Sequence, residues 1–348
     1  MLSHLAFLTR RLDGDAQAAA ALAVYAEPSD AGFTHAYAAD AGYEGVACVD
    51  DAARALVFYC RLWRDYRYPW LVSAVTHLLN FLTRMQQDDG SFPNFILDWR
   101  GRPNLTAPSS SPGGPWWTVR AMQALAATLR TFHLEQADRA FQLGRQWLHQ
   151  QELVGAIALA AQAELDYWLV TQDPTSARFC RKAAEIIADH RDGRVLADDP
   201  QTARFWAHHQ EEALIRIAAA FGHSSLSDVA ITSAFELFGP AVASGFSGRT
   251  QTVPYEVSCA VRAFAAVHRA SGDPRAAELA DLARAWFFGR NAASAPVYDS
   301  FRQLTYDGVD GTYVSPNSGA ESNIEACFAL YPALSWDDLA AASGLVAD

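Results

Sequence analysis

The sequence predicts an all-α protein whose helices pair into six antiparallel hairpins and close into an (α/α)6 barrel. Two observations predict this fold. Ala- and Leu-rich stretches with apolar residues three or four positions apart recur along the chain, while strand signals are almost absent. The links between these stretches also alternate between short and long, which is typical of helical hairpins stacked side by side.

The apolar spacing predicts twelve helices, each long enough for several turns. We expect them at residues 16–26, 50–66, 70–87, 116–132, 135–150, 153–171, 175–191, 202–221, 225–238, 254–270, 274–288 and 319–331. Even-numbered helices would form the inner ring, with the others outside it.

The lengths of the links assign the hairpins. Short links follow the second, fourth, sixth, eighth and tenth helices, at Arg67-Tyr68-Pro69, His133-Leu134, Gln172-Asp173-Pro174, Gly222-His223-Ser224 and Ser271-Gly272-Asp273-Pro274. Long links precede most inner helices, at 27–49, 88–115, 192–201, 239–253 and 289–318, and only the link near Gln151-Glu152 is short. Long loops of this kind are usually functional and here fall on one face. A helical solenoid is the competing architecture, although its repeat is usually sharper.

Length and composition indicate one large folded unit. The 348 residues suffice for a single toroid over 1–348 with a short C-terminal tail at about 333–348. Hydrophobic residues make up 51% and charged residues 19%, which argues against disorder. The net charge of −12 makes nucleic acid and anionic membrane poor partners, because both attract basic surfaces.

The cysteines and the N-terminus predict a cytoplasmic protein. Five cysteines, an odd number without a CxxC pair, are widely spaced and mostly set among apolar residues, so we interpret them as buried thiols of a reducing compartment. No apolar run reaches the length of a membrane span, and Thr9-Arg10-Arg11 comes too early for a signal peptide.

Acidic residues at the starts of inner helices are the catalytic candidates. Asp50 and Asp51 open an apolar helix, and since one aspartate suffices as a cap, the second needs another explanation. Glu256 lies in the first turn after Pro254, where the helix dipole also favours it. Glu321 follows Ser318 with the spacing of a capping box, which would explain it without chemistry.

A histidine pair at another inner helix is a substrate-binding candidate. His208 and Glu212 stand four residues apart, as some metal ligands do, but no third ligand accompanies them. We therefore expect no metal and no other cofactor, and hydrogen bonding to substrate by His208 or His209 is favoured.

Aromatic and polar residues of the long loops suit a carbohydrate, because aromatic faces stack on sugar rings and carboxylates bind hydroxyl groups. About half of the tryptophans are expected to be structural. The substrate-binding candidates are Asp89, Trp99, Trp116, Trp117, Trp206, His208, His209, Tyr255 and Asn317.

These motifs resemble the six-hairpin glycosidase superfamily, and in particular a bacterial helical domain found with glycosyltransferases and mannoside-processing enzymes. The family's Asp-Asp-Asn-Ala-Arg-Ala-Leu segment is matched by residues 50–56, with Ala52 in place of Asn. Its Asn-x-Gly-Ala-Glu-Ser segment is matched by residues 317–322, after an Asp-Gly at 307–308. Residues 251–256 match its Gln-Gln-Pro-Ile-Glu-Ala segment only in part. The likeness spans residues 40–331 and implies an (α/α)6 barrel that acts on sugars.

Two departures from the family concern acidic residues. The acidic segment expected before the fourth helix is replaced by residues 110–114, Ser-Ser-Pro-Gly-Gly. A Tyr-Asp-Asn-Ala-Arg segment expected at the eighth helix is replaced by residues 208–212, His-His-Gln-Glu-Glu. Both replacements favour a protein that binds sugar without turning it over.

Three functions follow as hypotheses. The first is an inverting glycoside hydrolase in which Asp51 is the general base, Asp50 orients it or the water, Glu256 is the acid and Glu321 holds substrate hydroxyls. The second is a non-catalytic carbohydrate-binding domain that works with a glycosyltransferase. The third is a sugar epimerase or isomerase in which His208 or His209 moves protons.

Overall fold

The computed structural model, which describes residues 1–30, 32–36, 44–198 and 204–331, shows the predicted (α/α)6 barrel. Its α-helices are α1 (Leu2–Leu8), α2 (Val49–Tyr66), α3 (Trp70–Met85), α4 (Pro115–Phe132), α5 (Glu135–His149), α6 (Val154–Thr171), α7 (Pro174–Asp189), α8 (Gln210–Phe221), α9 (Ser224–Ala243), α10 (Pro254–Ser271), α11 (Pro274–Arg284) and α12 (Ala320–Leu330).

The even-numbered helices form the inner ring. Each of them packs against the next even-numbered helix, and α12 packs on α2, which closes the ring. The inner helix α6 is buried from Val154 through Tyr167 without a break. Its many alanines let neighbouring helices approach closely, and burial on all sides is what a central helix requires.

The outer ring is completed by the N-terminus. Helices α3, α5, α7, α9 and α11 pack on the inner helices that precede them, and α1 packs on α12. The sixth hairpin is therefore made by the first and last helices of the described chain. The tail expected at 333–348 lies outside the described residues.

Short antiparallel strands decorate the long links of the barrel. They are β1 (Thr9–Arg11), β2 (Ala20–Leu22), β3 (Ala26–Ser29), β4 (Gly32–His35), β5 (Ala47–Cys48), β6 (Phe95–Ile96), β7 (Arg191–Asp192), β8 (Val195–Leu196), β9 (Gln251–Thr252), β10 (Tyr298–Asp299), β11 (Leu304–Thr305), β12 (Val309–Asp310) and β13 (Tyr313–Val314). Strand β12 lies between β13 and β9, and the others pair as β1–β2, β3–β4, β5–β6, β7–β8 and β10–β11. These pairs give the loop-rich face defined backbone geometry.

The helix expected at 16–26 is wrong. Residues 20–22 form β2, which pairs with β1 and packs against α2 and α3, and β3 begins at Ala26. The alanines from Ala19 to Ala23 are buried. Their small side chains let an extended segment fit closely against two helices, so here tertiary packing overrides helix propensity.

Three other predicted helices differ at their ends. The helix expected at 225–238 continues to Ala243 as α9. Helix α8 begins at Gln210 rather than at 202, and residues 204–209 are not helical. Ala207, in this stretch, has a φ of 58°, which interrupts a right-handed helix. The helix expected at 274–288 ends as α at Arg284 and continues as a 3₁₀ turn over Ala285–Phe288.

Helix α9 bears on the expectation that no apolar run could span a membrane. It is 20 residues long, and an 18-residue stretch within it has a mean hydropathy of 1.2, so by length and composition alone it is the one described helix able to do so. In the barrel α9 is an outer helix that packs on α8, α10 and α11. These contacts make α9 part of the outer ring, so we do not interpret it as a membrane span. All five cysteines are free and buried, as expected.

Candidate active site

A cavity of about 340 Å³ opens on the loop-rich face, at the N-terminal ends of α2 and α12. Acidic, amide and aromatic side chains from distant parts of the sequence share its wall. They include Tyr25, Asp50, Asp51, Arg54, Asn94, Phe95, Trp206, Gln251, Asp307 and Glu321. This is where the predicted catalytic aspartates meet the long loops.

Helix α2 begins in a way that leaves both aspartates free of capping. Its N-cap residue is Cys48, whose Sγ accepts a hydrogen bond from the Asp51 N–H at 3.3 Å. Since a thiol serves as the cap, neither Asp50 nor Asp51 is needed for that purpose. Both carboxylates instead line the cavity.

Asp50 is held as a carboxylate by two arginines. Its Oδ1 accepts hydrogen bonds from Arg54 Nε at 2.6 Å and from Arg120 Nη1 at 2.8 Å. Burial alone would raise the pKa of Asp50, but Arg120 and Arg54 outweigh burial and hold that pKa below its ordinary value. Among the described residues, Oδ2 has no hydrogen-bond partner, so this oxygen is available to a ligand.

Asp51 is held in the opposite state. Its side chain is buried, and burial raises the pKa to about 7 even though Arg54 opposes the change. The negative charges of Asp50 and Glu321 add to the increase. The Cys48 thiol donates to Asp51 Oδ2 at 3.1 Å. Two adjacent carboxyl groups thus have pKa values displaced in opposite directions.

Arg54 joins α2 to α12. It donates through Nη2 to Glu321 at 2.8 Å and through Nη1 to the buried Glu325 at 3.3 Å. Its guanidinium also lies 4.8 Å from the centre of the Tyr255 ring. Sequence reasoning missed Arg54 as a site residue, although its position four residues after Asp50 favours an ion pair on one helix face.

A second polar layer lies deeper in the barrel. Arg120 donates through Nη2 to the Tyr255 hydroxyl at 2.7 Å, and that hydroxyl is 3.0 Å from His209 Nε2. Burial lowers the pKa of His209 to about 3, with Arg262 adding to the decrease, so the imidazole is neutral at neutral pH. Neither Tyr255 nor His209 belongs to the wall of the acidic cavity, and both lie beneath it.

Asp307 is a further site residue that the sequence analysis did not select. Its Oδ1 accepts from the Gly319 N–H at 2.7 Å, and burial raises its pKa. Tyr25, also in the cavity wall, bonds to the predicted binding residue Asn317. The sequence signal that could have identified Asp307 is the Asp-Gly pair at 307–308, which belongs to one of the family motifs.

The two predicted glutamates are placed differently. Glu321 lies in the cavity wall, and Gly319 rather than Ser318 occupies the N-cap of α12, so the expected capping box is wrong. Glu256 is not among the residues of the cavity wall. Its carboxylate accepts from Arg249 at 2.5 Å and from the Val253 N–H at 3.3 Å.

The predicted tryptophans divide into one at the cavity and three elsewhere. Trp206 lies in the wall, and Trp116 packs edge-on against it at 5.3 Å between ring centres. Trp117 is buried and donates to the Phe92 carbonyl at 2.7 Å, which explains it structurally. The ring of Trp99 packs under the Arg10 guanidinium, outside the cavity wall.

The remaining two candidates also lie outside the cavity wall. Asp89 is exposed and accepts from the Ser91 N–H and hydroxyl in a local turn. His208 is buried, and its Nε2 is hydrogen-bonded to Glu211 Oε1 at 3.1 Å. Within the described ranges, no group of three or more His, Cys, Asp and Glu side chains has the arrangement of a metal site.

Comparison with known proteins identifies the fold. No family model matches the sequence, and no curated protein matches it. A sugar epimerase from a ruminal bacterium is similar in structure, with a TM-score of 0.68 at 13% identity over 96% of each chain. The GH76A α-1,6-mannanase from Salegentibacter sp. HEL1_6 gives 0.64 at 11% identity over 99% of this chain and 97% of the mannanase. A D-mannose isomerase gives 0.64 at 11% identity over 90% and 92% of the two chains.

At these identities the similarity shows the fold alone. The chain has the same (α/α)6 barrel as these proteins, the fold that the sequence predicted.

Proposed function

We propose that this protein is a carbohydrate-active enzyme that hydrolyses a glycosidic bond in an oligosaccharide or glycoside. The observation that carries the proposal is the Asp50–Asp51 pair in the cavity wall, with the pKa of Asp50 lowered by two arginines and that of Asp51 raised to about 7. Two carboxyl groups whose environments separate their pKa values are what acid and base roles require.

The roles follow from these protonation states. With a pKa of about 7, Asp51 is partly protonated near neutral pH, and its protonated form donates the proton to the glycosidic oxygen as that bond to the anomeric carbon breaks. Asp50 is ionised, and its free Oδ2 accepts a proton from the water whose oxygen bonds to that carbon. This assignment makes Asp51 the acid instead of the base expected from the sequence, and it gives Glu256 no catalytic part, because that carboxylate lies outside the cavity wall.

The substrate class is supported by the wall of the cavity and by the relatives. Trp206 and Tyr25 offer aromatic surface beside carboxylates and amides, a combination that suits sugar rings with hydroxyl groups. A Salegentibacter α-1,6-mannanase with the same fold is inactive when two consecutive aspartates are both replaced by asparagine, and that variant was solved with α-1,6-mannotriose bound. We propose that Asp50 and Asp51 are the corresponding pair here.

The experiment is an assay of manno-, gluco- and galacto-oligosaccharides for new reducing ends. Wild-type protein is expected to release product, and Asp50→Asn and Asp51→Asn are each expected to lower kcat by at least about a thousandfold. Glu256→Gln is the matched control and should stay within a few-fold of wild type. NMR of the first-formed anomer then reports inversion, as proposed for a water activated by Asp50.

Two results would contradict hydrolysis. Thermal stabilisation by a glycan without product from any substrate would support the binding domain instead. Conversion of one sugar to an isomer, with solvent deuterium entering a carbon–hydrogen position, would support the epimerase or isomerase. The neutral His209 favours this second candidate, although it lies beneath the cavity.

A further inference from the structure

A second large cavity opens at the opposite end of the barrel, where the inner helices end. Its volume is about 460 Å³, within the range of sites for small molecules. Its wall carries six arginines and three acidic residues, so it is locally positive in a protein whose net charge is −12. The charged residues are Arg61, Arg64, Arg130, Arg216, Arg262, Arg269, Asp65, Asp166 and Glu212.

Two of the acidic residues are already paired with three of the arginines. Arg130 and Arg216 share Asp166 Oδ1, at 2.5 and 2.6 Å. Arg262 binds Glu212 at 2.9 Å. Arg130 and Arg216 leave one positive charge over Asp166, and the other three arginines exceed the remaining Asp65 by two, so most of the excess positive charge of the wall belongs to these three.

Arg61, Arg64 and Arg269 have no ion pair with any carboxylate in the part of the chain that the structure describes. Arg61 is the most informative of them, because it is half-buried and its guanidinium lies 4.4 Å from the centre of the Tyr331 ring. Burial, together with the neighbouring charges of Arg262 and Arg269, lowers the pKa of Arg61 to about 10 against the opposing Glu212 and Asp65. The Arg61 guanidinium lines the cavity without an ion pair to any described carboxylate, which suits it to bind an anion that enters there.

Stabilisation of helix ends explains only part of this cluster. Arg64, Arg130 and Arg269 lie in the last turns of α2, α4 and α10, where a positive charge favours the negative end of the helix dipole. Arg61, Arg216 and Arg262 lie further back in their helices and still line the cavity. Four different inner helices thus direct arginines to one space.

We propose that this cavity, here called the arginine cavity, binds a phosphate group of a small molecule. Guanidinium groups form paired hydrogen bonds with phosphate oxygens, and a dianion would offset the unpaired charge of Arg61, Arg64 and Arg269. The same chemistry fits free inorganic phosphate and the phosphate of a phosphorylated sugar. The volume of the arginine cavity exceeds that of one phosphate, so we favour the phosphorylated sugar.

The test is isothermal titration calorimetry of the full chain with inorganic phosphate, pyrophosphate and a hexose phosphate, with chloride at equal ionic strength as the blank. The hexose phosphate is expected to bind most tightly and to bind more weakly as salt rises. Arg61→Gln, and separately Arg64→Gln combined with Arg269→Gln, should each weaken binding at least about tenfold. Arg102→Gln, an exposed arginine on the loop-rich face, is the control and should bind like wild type.

Arg64 and Arg269 are exposed at the rim of the arginine cavity. Their double variant, here called the rim variant, is therefore expected to fold even where Arg61→Gln does not. Absence of binding by all three phosphates at millimolar concentration would overturn the proposal. Equal affinity in wild type and the rim variant would overturn it too. Binding is measured directly, so the outcome is separate from whether the acidic cavity hydrolyses a glycoside.

Discussion

Arg120 on α4 donates to Asp50 on α2 at 2.8 Å, and this bond connects the wall of the acidic cavity to the centre of the barrel. The second end of the same guanidinium donates to Tyr255 at 2.7 Å. Arg120 is only 3% exposed, so its charge depends on Asp50 for compensation in a region that water does not reach. Fold stability and the proposed chemistry therefore depend on one ion pair.

Replacing Arg120 by Gln should lower the stability of the fold and shift the pH dependence of the activity. Loss of one partner from a buried pair typically costs about 3–5 kcal/mol. Arg120 helps to lower the pKa of Asp50, so without it that pKa rises and the acid limb of the pH–rate profile moves to higher pH. Urea denaturation and kcat/KM between pH 4 and 8 measure the two effects. Arg84→Gln, an exposed arginine 3.4 Å from Asp15, should change neither, and an unmoved acid limb in Arg120→Gln would contradict the role given to Asp50.

Replacing Asp51 by Asn should stabilise the protein more at pH 8 than at pH 4. The folded pKa of Asp51 is about 7, above its ordinary value of 3.8, so between these values the folded state binds more protons than the unfolded state. Stability is therefore lost as pH rises through this window, up to about 4 kcal/mol, and asparagine does not suffer the loss.

Denaturation of wild type and Asp51→Asn at both pH values measures this difference. Asp50→Asn is the contrasting control. Its carboxylate compensates Arg54 and Arg120, so that variant should lose stability at pH 8. A difference between wild type and Asp51→Asn that does not depend on pH would show that Asp51 is ionised throughout.

Replacing Trp206 by Ala should weaken substrate binding without removing catalysis. The ring of Trp206 lies in the wall of the acidic cavity, whereas Trp116 packs against it from outside the wall. Loss of one aromatic face is expected to raise KM about two- to tenfold, with a smaller effect on kcat. Trp99→Ala is the control, since that ring packs under Arg10 away from the cavity. Equal KM values for the two variants would argue against stacking on Trp206.

Replacing Glu164 by Gln should destabilise the barrel without changing activity per folded molecule. The Glu164 carboxylate is fully buried and accepts from Arg145 at 2.8 Å, from His149 at 2.6 Å and from Ser176 at 2.6 Å. The cost is expected to be about 3–5 kcal/mol at pH 7.

The same substitution should cost less in acid. Burial would raise the pKa of Glu164, but His149, Arg145 and Ser176 hold it below its ordinary value, so its contribution is present at neutral pH and lost as pH falls. Thermal unfolding at pH 7 and pH 4 measures the change. Glu135→Gln is the control, because that glutamate is exposed and its pair with Arg139 is at the surface.

The barrel of helical hairpins could be predicted from the sequence, because the alternating link lengths show which helices pair. The first outer helix could not be predicted. An alanine-rich segment has high helix propensity, and only the groove between α2 and α3 selects the extended form of Ala20–Leu22. Helix α1 (Leu2–Leu8) is short, and it belongs to the outer ring only because it packs on α12, the last described helix.

The site could be predicted where its chemistry is local. Asp50 and Asp51 are adjacent and stand at a helix start, so their position on the loop-rich face follows from the sequence. The partners that separate their pKa values do not, since Arg120 comes from α4 and Glu321 from α12. Glu256 has the same sequence context as a catalytic acid, and only the nearby Arg249 shows that its carboxylate is already bonded.

The pairing of α1 with α12 has a consequence for the order in which the protein is made. Five hairpins can form as soon as the ribosome has released them, because their two helices are neighbours in sequence. The sixth needs both ends of the described chain, so α1 must wait unpaired until α12 emerges. Glu321 and Glu325 arrive with α12. Until then Arg54 lacks both glutamates, so the acidic cavity is completed only after α12 has been made.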